Sequence, residues 1–197
     1  KAQKELFAQS QPGLFETAFG TASGDAIVSA DLLNGVLAAS PALATVFPST
    51  SIGNQLKMTA RLIAASSTLG LKRQVFFVQL GGWDTHQENF TRLRTRLLPT
   101  LDTGLSALLN GLEQKGLLAT TSVFVTGEFG RTPKINAHVG RDHYAAAWSC
   151  AMAGAGVKPG AVYGRTDDDG VEVKDGAVKA GDLVATIYRA AGLDPEF

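Results

Sequence analysis

Two apolar runs constrain this chain more than any other feature. Gln74-Val-Phe-Phe-Val-Gln-Leu80 and Ser122-Val-Phe-Val-Thr126 carry polar residues only at or next to their ends, the pattern of strands covered on both faces. Between them, residues 87–115 repeat apolar side chains at helical spacing: Phe90, Leu93, Leu97, Leu98, Leu101, Leu105, Leu108, Leu109 and Leu112. That is one stripe of a long amphipathic helix. Pro99 should kink it and Gly116 should end it. Strand, long helix, strand reads as a right-handed crossover in a parallel sheet. Residues 148–153 would add a third strand, with Cys150 a small core residue in it.

The rest of the chain reads as cover for that unit. Short helices are expected on either side of Pro12-Gly13. Leu32, Leu33, Val36 and Leu37 recur at helical spacing, and Pro41 can open a second short helix. A serine or threonine of Pro48-Ser-Thr-Ser51 can cap a helix over 52–69, with Gly70 just past its end. Near the other end, residues 161–163 and 171–174 flank Asp167-Asp-Asp-Gly170 as a small hairpin. That acidic run lacks the alternating spacing and distal glutamate of a calcium loop. A closing helix spans 182–191.

At 197 residues one domain is expected, with residues 1–70 a helical covering layer and 71–197 carrying the sheet and its loops. Lysine plus arginine and aspartate plus glutamate each number 18. This balance lacks the basic excess of a nucleic-acid footprint. No apolar run approaches the roughly 20 residues that span a bilayer. The chain opens on Lys1 without a signal peptide, as the C-terminal part of a longer precursor would.

Each apolar run empties into a loop dense in chemistry, and all three histidines lie in this region. Gly81-Gly-Trp-Asp-Thr-His86 sets a carboxylate and an imidazole two residues apart. In extended chain Asp84 and His86 point to the same side, a geometry for one shared metal; otherwise Asp84 caps the next helix and His86 is merely exposed. Glu128 follows the second run directly, where a carboxylate is out of character unless it serves a site. Asp142 and His143, after Gly140, form a second pair that could serve two metals, or one metal with one residue behind it, or nothing beyond a surface loop. Arg131 suits a phosphate or sulfate oxygen or an ordinary surface ion pair. His138 sits among small and polar residues and is a weaker candidate. No nucleophile elbow, phosphate loop or dinucleotide glycine pattern occurs.

Phe77-Val-Gln-Leu-Gly-Gly-Trp-Asp-Thr-His86, Gly127-Glu-Phe-Gly-Arg-Thr-Pro133 and Gly140-Arg-Asp-His-Tyr144 together resemble the bacterial domain of unknown function family 1501. So do the Tyr163-Gly164 step and the segment 182–188. The match runs from about Asn54 onward, and the family is similar to the alkaline phosphatase and sulfatase superfamily. That resemblance implies a three-layer α/β/α sandwich with a mainly parallel sheet, lacking the superfamily's N-terminal part. It implies a metal-dependent hydrolase acting on a small anionic ester of phosphate or sulfate. Its metal ligands would be Asp84, His86, Glu128, Asp142 and His143, with Arg131 holding the anion. Zinc comes first as the ion, with manganese, calcium or iron as alternatives. A periplasmic or secreted location is implied as well. Two departures stand out: Glu128-Phe129 replaces the superfamily's usual Asp-His, and no strand bearing a nucleophile precedes Asp84. The alternative is an exported binding or structural protein without a complete active site.

Overall fold

The structure is a computed structural model that describes residues 2–7 and 13–196. The chain divides into two units, Lys1–Ala42 with Arg61–Gln74, and Leu43–Ala60 with Val75–Phe197. The first holds helices α1 (Ala2–Phe7) and α2 (Leu14–Ala39). Phe7 meets Phe19 edge to face at 6.0 Å between ring centres. The Ser40 N–H and hydroxyl both donate to the Val36 carbonyl, at 2.9 and 2.7 Å, and so close the end of α2. Pro41 forces this end, because a residue before proline is pushed out of helical geometry; Ser40 is extended, with φ −76° and ψ 137°. Pro41 opens no second helix. The segment between Pro41 and Pro48 stays irregular. Pro12, expected to break the first helical stretch, lies outside the described residues.

α3 (Ser51–Ala64) begins in the second unit. Thr50 caps it, its hydroxyl accepting the Gly53 N–H at 3.1 Å. It ends at Ala64, earlier than the spacing predicts, and turns occupy 65–70. Ile52, Leu56 and Ala60 are its buried stripe. The leucine-rich segment after the first loop forms α4 (Asn89–Arg92), a π-helical turn (Leu93–Leu97) and α5 (Leu98–Gln114). Pro99 causes the wide turn: it has no N–H for the carbonyl four residues back, and its ring would strike that carbonyl. Leu97, Ala107, Leu108 and Leu112 are buried, whereas Phe90 and Leu98 of the expected stripe are exposed. A Cβ on Gly104 would lie 3.2 Å from Leu56 Cδ1, and one on Gly111 would lie 3.4 Å from Thr45 Oγ1. Small residues on α5 therefore let α3 and the chain before it approach closely. Gly116, at φ +68°, takes the left-handed step after α5.

The parallel sandwich is absent. β1 (Ser122–Val125) pairs antiparallel with β4 (Ala151–Gly154). β2 (Gly130–Arg131) pairs antiparallel with β3 (His143–Tyr144), and β5 (Arg165–Thr166) with β6 (Val173–Asp175). Residues 74–80 join no strand ladder among the described residues. Their burial alternates, with Phe76, Val78 and Leu80 half-buried and Val75 and Phe77 each 90% exposed. An apolar run says that a strand wants cover. It does not say which way its partner runs. The chain after β1 passes through the loops and doubles back, which gives an antiparallel partner. The hairpin around Asp167–Gly170 forms three to four residues later on its first side than the spacing predicts. Cys150 is exposed, not a core residue. α6 (Ala180–Ala190) closes the chain, with the Asp182 carboxylate accepting the Lys179 N–H at 2.9 Å. Among the described residues no helix is long and apolar enough to cross a membrane.

Leu112, 1% exposed on α5, is expected to cost about 2–5 kcal/mol on Leu112→Ala in urea unfolding. The exposed Leu98, the residue just before Pro99, is expected to cost about 0.5 kcal/mol or less on Leu98→Ala.

Candidate metal centre

Alternation of the extended chain places the first pair. Thr85 is fully buried, while Asp84 is exposed and His86 half-exposed. The Thr85 hydroxyl accepts the Asn89 side-chain N–H, and its carbonyl accepts the Arg141 N–H at 3.2 Å. With Thr85 pinned inward, Asp84 and His86 share the outer side.

The β2–β3 pair places the second group, with Arg131 opposite His143. The Arg131 guanidinium donates to the Trp83 carbonyl at 2.8 Å, to Asp84 Oδ1 at 3.0 Å and to the Arg141 carbonyl at 3.1 Å. It thereby ties the first loop to the strand pair. The intervening loop then lies along the first: Glu88 N–H donates to the His138 carbonyl and Asn89 N–H to the Val139 carbonyl, each at 3.1 Å. Gly140 passes so close that a Cβ there would lie 1.9 Å from the His86 carbonyl oxygen. Val139 beside it is held at φ +57°, a left-handed conformation that a β-branched residue adopts only under constraint.

The result is a triangle of ligand atoms. Asp84 Oδ1 lies 3.0 Å from His86 Nε2 and 3.1 Å from His143 Nε2, and the two imidazole nitrogens are 3.2 Å apart. Ligands held about 2.0–2.1 Å from a tetrahedral zinc are about 3.3 Å apart, so one carboxylate oxygen and two imidazole nitrogens stand at nearly metal-ligand spacing. Asp142 stands behind His86, its Oδ1 accepting Nδ1–H at 2.7 Å. An ionised carboxylate only accepts, so a neutral His86 that donates to Asp142 carries its hydrogen on Nδ1, with the Nε2 lone pair left for the triangle. The His143 ring stacks on Phe129 at 4.1 Å between ring centres. The Arg131 guanidinium lies 5.7 Å from the same ring.

Both aspartates are held below their ordinary value of 3.8. For Asp84 the first cause is the hydrogen bond from His143 and the second that from Arg131. For Asp142 they are the bonds from His86 and then Asn136. A carboxylate with a lowered folded value stabilises the fold above its unfolded value and loses that contribution as pH falls through the folded one.

The family model for a protein of unknown function, DUF1501, matches residues 35–197. The chain belongs to that family. The match begins earlier than the motifs alone placed it and takes in the end of α2. A search of curated proteins and a search of solved structures each return no match.

Of the ligands expected of a DUF1501 chain on its resemblance, Asp84, His86 and His143 converge, with ligand atoms all within 4.8 Å of one another. Asp142 is a partner of His86, not a member of the triangle. Glu128 is exposed and, among the described residues, makes no hydrogen bond or ion pair with the cluster. Arg131 braces Asp84. His138 contributes its main chain to the loop, and its side chain stays outside the cluster. Thr85, Phe129 and Asn136 were not among the expected site residues. Thr85 had a signal, because the residue between two outward-facing ligands in extended chain must face inward. The other two had none at the level of spacing.

Thermal midpoints measured from pH 5 down to pH 2.5 should fall for the native chain. The fall should be shallower for the Asp84→Asn/Asp142→Asn double variant, which has no lowered carboxylate to protonate there.

Proposed function

We propose that this DUF1501 chain is a metal-dependent hydrolase of phosphate or sulfate esters, with zinc as its ion. The observation that carries the reading is the convergence of Asp84 Oδ1, His86 Nε2 and His143 Nε2 at 3.0–3.2 Å from one another. Three like-polarity atoms so close repel unless a proton or a cation sits among them. The donor set suits zinc, with iron and manganese next. Calcium fits worst, because it takes six to eight oxygen ligands. The side chains of His86, His143 and Asp84 are 43%, 52% and 71% exposed, so a substrate can reach them. Three protein ligands with an accessible side is the pattern of catalytic sites, whereas structural zinc sites are closed by four.

A bound divalent ion would supply Lewis-acid polarisation of an ester oxygen. The chain's own residues do the rest of what can be derived. Asp142 fixes the His86 tautomer, Phe129 fixes the His143 ring plane, and Arg131 holds Asp84 in place. Both terminal nitrogens of Arg131 already donate within the protein, so it would favour an anionic ester through its charge at a distance more than by direct bonds. The order of the ligands along the chain, an Asp and His pair and then a later His, supports kinship with the alkaline phosphatase and sulfatase superfamily. A periplasmic or secreted location belongs to the same proposal. Glu128, outside the cluster, favours a second reading, in which the site binds a metal and an anion without turnover.

Elemental analysis of the purified chain should find roughly one zinc per protein, and His86→Ala and His143→Ala should each lose most of it. Hydrolysis of nitrophenyl phosphate or nitrophenyl sulfate should stop on chelation and return with zinc. Unchanged metal content in both variants contradicts the proposal. Metal loss in the variants with no hydrolysis by the loaded native chain selects the second reading.

A further inference from the structure

Asn136 makes four side-chain hydrogen bonds beside the site, yet it holds no position in the triangle. Its Nδ2 donates to the His86 carbonyl at 3.0 Å and to Asp142 Oδ1 at 3.1 Å. Its Oδ1 accepts the His138 and Gly140 N–H groups, each at 2.9 Å. A side-chain amide has two donor hydrogens and two acceptor lone pairs, and all four are used. The orientation of the amide is thus determined: a flip would set Nδ2 against two N–H groups and Oδ1 against a carbonyl and a carboxylate. A carboxylate in its place would keep the two loop bonds and lose both donors, because an ionised acid only accepts.

We infer that Asn136 is a positioning residue, holding Asp142 against His86 Nδ1 and thereby presenting the His86 Nε2 lone pair to the metal. Asp142 is 52% exposed, so nothing in its packing fixes which way its carboxylate turns. Its Oδ1 meets both the Asn136 amide and His86 Nδ1–H, at 3.1 and 2.7 Å, and its N–H donates to Thr132 Oγ1 at 3.1 Å. Among the described residues, the amide is the one side chain bonded both to that carboxylate and to the main chain of His86. It sets the angle between them. Partners behind a metal-bound imidazole commonly change metal affinity 10–100-fold, and this one acts one bond further out.

The inference rests on the metal reading for one of its two readouts and stands free of it for the other. The first is zinc affinity, measured by competition with a chromophoric chelator. Asn136→Ala should weaken zinc binding about 10-fold or more. In an Asp142→Ala background the same change should add little, because the residue it acts through is gone. Effects that multiply in the double variant overturn the inference. The second readout is the ring-nitrogen NMR pattern of His86 in the metal-free chain, recorded at alkaline pH. The native chain should show hydrogen on Nδ1, and Asn136→Asp should shift it toward Nε2. Asn136→Asp keeps the acceptors for His138 and Gly140, so the loop should stay folded and its thermal midpoint should move little. An Nδ1–H tautomer retained in Asn136→Asp overturns the inference whether or not zinc binds. A native chain with the Nδ1–H tautomer and no zinc affinity instead overturns the metal reading and leaves the positioning role in place.

Discussion

The site exists because one stretch of main chain lies along another. Residues 138–141 run against residues 85–89, joined by main-chain hydrogen bonds from Arg141 to Thr85, Glu88 to His138 and Asn89 to Val139. Close approach of two backbones demands a residue without a side chain at the crossing, and Gly140 supplies it beneath the His86 carbonyl. The constraint is felt next door, where Val139 is left-handed. Residues in sparsely populated conformations persist only when their surroundings over-determine them. Here the surroundings are the Asn136 turn on one side and the start of α4 on the other. Remove that crossing and the Asp84–His86 pair and His143 are polar groups on two separate segments.

How much of this was legible in the sequence divides by the range of the interaction. The paired outward placement of Asp84 and His86 follows from two-residue alternation and needed nothing else. The break in the leucine helix at Pro99 was equally local, and so was the Thr50 cap. What the sequence did not carry was the direction of pairing. Residues 122–126 look the same whether the neighbouring strand runs parallel or antiparallel, and the long helix before them argued for a crossover. The partner came instead from beyond the loops, at 151–154. Residues 74–80 looked like a central strand because they are apolar, yet exposed Val75 and Phe77 are apolar too. Hydrophobicity reports that a side chain prefers cover. It does not report that cover is present.

The same division applies to the ligand set. Proximity in sequence paired Asp142 with His143 and left open whether they serve two metals or one stands behind the other, because neighbouring side chains in a strand diverge. His143 faces the triangle and Asp142 faces the back of His86, so the two have different work. Glu128 stood where a third carboxylate was expected. The strand ends before it, and the chain turns so that Phe129 packs on His143 while Glu128 faces water. Arg131, expected to hold an anion, spends its donors on two main-chain carbonyls and Asp84. It is what keeps a largely exposed carboxylate in one place, a task for which a surface ion pair alone would contribute little. Asn136, Phe129 and Arg131 together make a rigid frame for ligands that are themselves solvent-accessible.

The central claim is that an acid and two imidazoles from distant loops form one coordination sphere. X-ray absorption at the zinc edge on the loaded chain tests it most directly. The account predicts outer-shell scattering from two imidazole rings, with nitrogen and oxygen neighbours at about 2.0–2.1 Å. A shell of oxygen alone, or one without imidazole scattering, would contradict it.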